Sequence, residues 1–192
     1  FTVSPDQRVC SSVKRSHCSR LGNLTIYGSI HSMEEKQSGI FFEGSKIFTI
    51  NSSPGYSHYG EKLKEVEETE YREWNPHRSK AGAGVKKGVD LEIRSDSDIL
   101  YLGAASGTTV SHFSDIINEG FIVAVEYSEE VARKLLKLAE KRENIAPVLG
   151  DARKPEEYED LIEKYDIVFQ DISQRDQAEM FLKNCRKFLK DD

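Results

Sequence analysis

The hydrophobic pattern becomes legible only from Met33; the first 32 residues show no sustained period. Ile40-Phe41-Phe42-Glu43 and Lys46-Ile47-Phe48-Thr49-Ile50, separated by Gly44-Ser45, predict two strands across a tight turn. Thr69-Glu70-Tyr71-Arg72-Glu73-Trp74 alternates more weakly and adds a third candidate, so residues 33–75 read as a small β-rich domain. Asn75-Pro76 then interrupts the chain, and a short helix is expected from Arg78 to Lys87, weakened by Gly82 and Gly84. Beyond Ser97 the rhythm changes. Apolar runs at 99–102, 121–125, 145–149 and 165–169 predict strands, with Pro147 disfavouring a fully laddered central place for the third. Helices are expected over 111–117, over 129–142, from Pro155 onward and over 176–189, the last with one clean apolar face. Strands each followed by a helix imply an α/β, doubly wound parallel sheet over residues 76–192.

Composition narrows the setting. The 192 residues carry 27 Lys+Arg and 33 Asp+Glu, a formal net charge of −6, which argues against a surface that grips nucleic acid unaided. No run of about 18 apolar residues exists to span a membrane. Cys10, Cys18 and Cys185 are too few and too scattered for a disulfide framework or a zinc cage, so a reducing, cytoplasmic setting is the default expectation. Residues 1–32 hold seven serines, four bases and one acid, and read as an extension outside the fold.

In doubly wound sheets ligands bind at the carboxyl ends of the strands, and here those ends carry chemistry. The first ends in Gly103-Ala104-Ala105-Ser106-Gly107-Thr108-Thr109: small residues for close backbone approach, then two hydroxyls at a helix start. It lacks the glycine spacing of dinucleotide binders and the lysine of a Walker loop, and taken alone fits a plain tight turn equally well. The second ends at Glu126, 19 residues beyond Gly107, a spacing suited to accepting both hydroxyls of a ribose. The third ends in Gly150-Asp151-Ala152-Arg153, where a carboxylate can receive an adenine amino group, and the fourth in Gln170-Asp171-Ile172-Ser173-Gln174. Each acid singly could be a helix cap; four decorated tips in succession describe a nucleoside pocket.

Five segments in register carry a family resemblance: 71–80 (Tyr-Arg-Glu-Trp-Asn-Pro-His-Arg-Ser-Lys), 101–109, Val125-Glu126-Tyr127-Ser128, 151–155 and 170–178. The sequence resembles fibrillarin, particularly the archaeal fibrillarin-like RNA 2′-O-methyltransferases, over nearly everything from Met33 onward. The resemblance implies a small N-terminal β-domain joined to a Rossmann-like methyltransferase domain that uses S-adenosyl-L-methionine. It implies cofactor contacts at Gly103, Ala104, Gly107, Thr108, Thr109, Glu126, Tyr127, Asp151, Ala152, Asp171, Ile172, Ser173 and Gln174. Catalytic roles fall on Lys80 and Asp171: an ammonium to stabilise the developing oxyanion and a carboxylate to orient the ribose hydroxyl or take its proton. No metal is implied.

The implied partners are a box C/D guide RNA, its ribosomal or transfer RNA target, a Nop-domain scaffold protein and, through the assembly, a kink-turn-binding ribosomal-type protein. The negative charge agrees with target choice by base pairing. Two departures stand out. Ala81-Gly82-Ala83-Gly84 is looser than the family's usual run, and the chain stops at Asp192, before a fifth strand that would bring a second catalytic lysine and the last catalytic residue. The expectation is an incomplete sheet with its C-terminal strands missing and little turnover by this chain alone. The alternatives are a fragment that only binds cofactor or docks on the scaffold, and a different Rossmann-type enzyme.

Overall fold

Residues 33–161 and 164–191 are described by a computed structural model, and the reading of residues 1–32 as an extension lies outside them. The first block is an antiparallel sheet of five strands: β1 (Glu34–Gln37), β2 (Ile40–Glu43), β3 (Lys46–Ile50), β4 (Leu63–Val66) and β5 (Thr69–Glu73), in the order β1-β2-β3-β5-β4. The turn between β2 and β3 forms where expected, with Gly44 at φ +57°. β1 (Glu-Glu-Lys-Gln) and β4 (Leu-Lys-Glu-Val) gave no hydrophobic signal, because both are short edge strands whose charged side chains face water.

The second block follows α1 (Lys80–Lys86) and alternates β6 (Ile99–Leu102), α2 (Thr108–Ile116), β7 (Ile122–Glu126), α3 (Glu129–Ala139), β8 (Ile145–Leu149), β9 (Ile167–Gln170) and α4 (Gln177–Phe188). The four strands are parallel in the order β8-β7-β6-β9, so Pro147 lies on an edge strand, where its missing N–H costs least. Pro155 does not open an α-helix. It starts a 3₁₀ turn, Pro155–Glu157, followed by another at Glu159–Leu161, where the acid-rich run Glu-Glu-Tyr-Glu-Asp supplies only Tyr158 to anchor a helix face. Both faces of the sheet are covered: Ile99 and Tyr101 of β6 join Trp74 and Phe113 on one side, while Leu100 and Leu102 join Met180 and Phe188 on the other. Because β9 returns beside β6 while β7 and β8 extend the other way, the order reverses between the tips of β6 and β9. That is where a crevice opens.

The antiparallel sheet meets α2 through buried polar groups. Arg72 of β5 is fully buried; its Nε donates to Glu61 Oε1 at 2.8 Å and its Nη1 to Asp115 Oδ2 at 2.7 Å, with Ser111 Oγ accepting from Nη2 at 2.9 Å. Arg142 also pairs with Asp115. A carboxylate only accepts, so the Thr49 hydroxyl, 2.7 Å from Asp115, must donate to it. Thr49 therefore accepts from His112 Nδ1 at 2.8 Å, while His112 Nε2 lies 2.8 Å from Tyr59 Oη, which also reaches the Glu73 carbonyl at 3.3 Å. Complete burial of His112, with Arg72 and Arg142 nearby, holds its pKa well below 6.5 and so favours the neutral ring. Burial also lowers His58. Glu61 is pushed up by burial but pulled further down, to about 2, by Arg72 and by backbone N–H donors.

These shifts fix the pH dependence of stability. Each group binds fewer protons folded than unfolded, so stability is complete above the unfolded pKa and falls as pH drops. The unfolding free energy from urea titration is expected to decline from near pH 6.5, by up to about 1.4 kcal/mol per pH unit for a histidine held neutral by burial, and more steeply below the ordinary glutamate value of 4.5, and the urea midpoint falls with it. A midpoint that stays level from pH 7 to 5 would show that His112 can charge in place.

Trp74 is fully buried and stacks on His112, with centroids 4.9 Å apart and planes at 13°. The glycines that seemed to weaken α1 now separate into two kinds. A Cβ at Gly82 would lie 2.8 Å from Trp74 Nε1, whereas one at Gly84 would meet Val89 at an ordinary 3.6 Å. Gly82→Ala is expected to destabilise by about 1–3 kcal/mol through overpacking. Gly84→Ala should gain up to about 1 kcal/mol of helix propensity. Thermal melts of the pair check this; shifts of the same sign would refute the close approach to Trp74.

Candidate active site

The tips of β6, β7, β8 and β9 surround a cleft of about 240 Å³, with Gly103, Ala105, Glu126, Tyr127, Asp151, Ala152, Arg153, Asp171, Ile172, Gln174 and Met180 in its wall. Three of the acids singled out at strand tips therefore face one cavity. Glu126 accepts the Ala105 N–H on Oε2 and the Ser128 N–H on Oε1, each at 2.8 Å, which ties the loop after β6 to the start of α3. Ser128 caps α3 in turn, its hydroxyl accepting from Val131 N–H. Asp151 accepts from the backbone N–H of Arg153 at 3.0 Å and from its guanidinium at 2.9 Å, which holds the Asp151 carboxyl below the usual carboxylate range. The same guanidinium lies 5.7 Å from the centroid of the exposed Tyr127 ring.

Gly103 has φ +77°, and a Cβ there would stand 2.7 Å from Ile172 and 3.0 Å from the Asp171 carbonyl oxygen. A Cβ on Gly107, at φ +88°, would meet Leu138 at 2.7 Å. The space both glycines leave is filled by neighbouring protein: the β9 tip in one case and α3 in the other. Ala105 holds φ +49°, an uncommon conformation for a non-glycine residue, with its N–H committed to Glu126. Ala104, Gly107, Thr108, Thr109 and Ser173 stand outside the cleft wall. Thr109 is buried, 2.9 Å from the Ser79 hydroxyl that caps α1 by accepting from Gly82 N–H. This hydroxyl pair pins the first residue of α1, and that residue is Lys80.

Lys80 Nζ donates to Asp171 Oδ1 at 2.5 Å and to Ser173 Oγ at 3.1 Å. The lysine is 70% exposed and the aspartate 23%, so the pair is open to a large ligand. Asp171 is steadied by its own N–H, which donates to the Leu102 carbonyl at 2.9 Å. The fold thus brings together two residues 91 positions apart at the rim of the cleft. Arg153, Ala105, Ser79 and Met180 were not singled out from the sequence. Only Arg153 left a signal, the Asp-x-Arg spacing that lets a side chain turn back on its neighbour. Among the described residues no group of His, Cys, Asp and Glu could hold a metal ion, and no helix is long and apolar enough to cross a membrane.

Comparison with known proteins gives this geometry relatives. The fibrillarin family model matches residues 31–192. A fibrillarin-like rRNA/tRNA 2′-O-methyltransferase of Methanosarcina mazei is 49% identical over 147 residues, 77% of this chain and 76% of that protein. The like-named Methanocaldococcus jannaschii protein is 45% identical over 146 residues, 76% and 64% of the two. The chain spans a little under two thirds of the length of several such relatives. Among solved structures, Aeropyrum pernix fibrillarin with natively bound S-adenosyl-L-methionine superposes with a TM-score of 0.79 at 42% identity, covering 83% of this chain and 73% of that one. A fibrillarin/Nop5p complex contains a chain that matches at 0.75 and 46%, covering 82% and 72%. With its Rossmann-like parallel sheet and N-terminal antiparallel sheet, the chain belongs to the fibrillarin family.

Proposed function

We propose that this protein transfers a methyl group from S-adenosyl-L-methionine to a ribose 2′-hydroxyl of ribosomal or transfer RNA. The observation that carries the reading is the Lys80–Asp171 contact at the rim of an acid-lined cleft at the strand tips. Similarity to the fibrillarin-like rRNA/tRNA 2′-O-methyltransferases supports RNA ribose as the acceptor.

The cleft's own chemistry suits the cofactor. A carboxylate has about four acceptor sites. Glu126 spends one on Ala105 and one on Ser128, so two remain for a ribose diol. Asp151, kept ionised by Arg153, retains capacity for an amino donor such as the adenine edge. Tyr127 and Ile172 supply apolar wall, and Gly103 lets the tips of β6 and β9 close together. When bound, S-adenosyl-L-methionine supplies a methyl group already made electrophilic by its sulfonium, so the protein's work is positioning. Asp171 Oδ2 has no partner among the described residues and is assigned to orient the ribose hydroxyl and accept its proton. Lys80, held on Oδ1, is assigned to stabilise negative charge growing on the ribose oxygen.

Target choice falls in this reading to a box C/D guide RNA, and docking to a Nop-domain scaffold. The net charge of −6 supports the first and the similar chain in the fibrillarin/Nop5p complex the second. Calorimetry tests the cofactor site. Glu126→Ala is expected to weaken S-adenosyl-L-methionine binding by about 1.5–3 kcal/mol, the worth of hydrogen bonds to a charged group. A thermal midpoint measured alongside separates this from the loss of an acceptor for two backbone N–H groups. Unchanged affinity would refute the role of Glu126, and preference for a nicotinamide dinucleotide would refute the class.

A further inference from the structure

The loop Gly103–Gly107 separates two concavities of opposite character. On one side lies the cleft with Glu126, Asp151 and Asp171 in its wall, where the one cation among the described residues, Arg153, is paired with Asp151. On the other is a hollow of about 290 Å³ whose wall includes His58, Tyr59, Arg78, Ser106, Lys134 and Lys137, and no Asp or Glu. Among the described residues, the side chains of Arg78, Lys134 and Lys137 make no ion pair and no hydrogen bond, although Arg133 on the same helix pairs with Glu129. Lys134 and Lys137 are one turn apart on α3, a like-charge spacing that is unfavourable by itself. Arg78 lies over the Tyr59 ring, 5.5 Å from its centroid.

The hollow is built into the fold. His58 Nε2 donates to the Ser106 carbonyl at 2.7 Å, since a carbonyl only accepts. That bond joins the segment after β3 to the loop whose next residue inward, Ala105, lines the cleft. Arg78 stands two residues before Lys80. Uncompensated cations gathered in a concavity, in a chain of net charge −6, create a local positive potential that a polyanion relieves. Cations interleaved with aromatic faces are the recurring chemistry of single-stranded nucleic acid grooves.

We propose that this hollow is a phosphate-binding subsite for the substrate RNA strand. It receives a backbone phosphodiester near the nucleotide whose ribose reaches Lys80 and Asp171. This rests on the RNA methyl-transfer reading, and names where the flanking strand is held. The contacts are to phosphate, so they position the strand and carry no sequence preference.

The test compares wild type with Lys134→Gln/Lys137→Gln and with Arg78→Gln in the full protein. A short single-stranded RNA is titrated by fluorescence anisotropy across a salt series, and S-adenosyl-L-methionine is titrated separately by calorimetry. The double variant is expected to bind RNA about tenfold more weakly at low salt, with a salt slope smaller by about 1.4, the contribution of two phosphate contacts on a single strand. Its cofactor affinity should equal that of wild type. In the assembled complex KM for the target RNA should rise while kcat is kept. RNA affinity and slope unchanged in both variants, or no RNA binding by wild type at low salt, would overturn the subsite. A polyglutamate peptide that binds wild type more tightly than RNA and is lost in the same variants would make the hollow a docking surface for an acidic protein, and also overturn it. If wild type fails to bind S-adenosyl-L-methionine, the methyl-transfer reading falls, while the RNA titration still decides whether the hollow takes phosphate.

Discussion

Arg72→Met is expected to destabilise the fold by about 3–5 kcal/mol, the cost of breaking a buried ion pair from one side. Methionine can fill much of the space left by arginine but cannot neutralise Glu61 or Asp115, whose side chains are also fully buried. Asp115 keeps Arg142, Ser52 and Thr49 as partners. Glu61 keeps backbone N–H groups, those of His58 and Tyr59 among them, and the Ser57 hydroxyl, but among the described residues no second cation pairs with it. The loss would be a large share of a typical domain stability of about 5–15 kcal/mol. Urea unfolding measures it. Adding Glu61→Gln to Arg72→Met should recover part of the loss, because a neutral amide tolerates burial that a carboxylate does not. A single-variant cost below about 1 kcal/mol would show that water reaches the pair and that it is worth no more than a surface ion pair.

Asp171→Asn is expected to slow methyl transfer by about 10²–10⁴-fold, the usual range for a positioned proton acceptor. The amide keeps the shape of the side chain and can still accept from Lys80, so cofactor binding and folding should change little. Lys80→Ala should produce a loss of similar size, and the double variant a loss much smaller than the product of the two, because groups that act as a unit are not additive. Lys80→Arg keeps the charge but replaces a compact ammonium with a planar fork, and should not restore the wild-type rate. Single-turnover transfer to a guided target RNA, with scaffold partner and guide present, is the measurement. Wild-type rates for Asp171→Asn would remove the aspartate from the chemistry while leaving the cleft intact.

Wherever neighbours two to four residues apart carry the information, the sequence by itself determined the structure. The alternation of β2 and β3 and the apolar runs of β6 to β9 are local patterns that the fold keeps, and α3 and α4 form where expected. The helix faces hold only in part: α4 buries Met180, Asn184 and Phe188 while Phe181 and Leu182 of its expected apolar face stay exposed, and Leu136 of α3 is exposed as well. Acids placed directly after apolar strands were legible for the same reason, since a strand's end fixes which way the next residues can point. β1 and β4 were not legible. Their stability comes from backbone hydrogen bonds to a neighbour rather than from apolar side chains.

Tertiary structure alone decided the rest, because it joins residues far apart in the chain. Arg72 reads as an ordinary polar position in an alternating strand, and only α2 and the loop holding Glu61 make it a buried charge. Gly82 reads as a weak point in a helix until Trp74 lies against it. Thr109 reads as a hydroxyl at a helix start, and only the fold shows that it also meets Ser79 and so helps fix where α1 begins. The reversal of strand order between β6 and β9 has no local signature, and it is this reversal that brings Asp171 to Lys80. Composition supplied the acids and the cations, but packing decided that the cleft on one side of the loop holds acids with Arg153 paired among them, while the wall of the hollow on the other side holds Arg78, Lys134 and Lys137 and no acid.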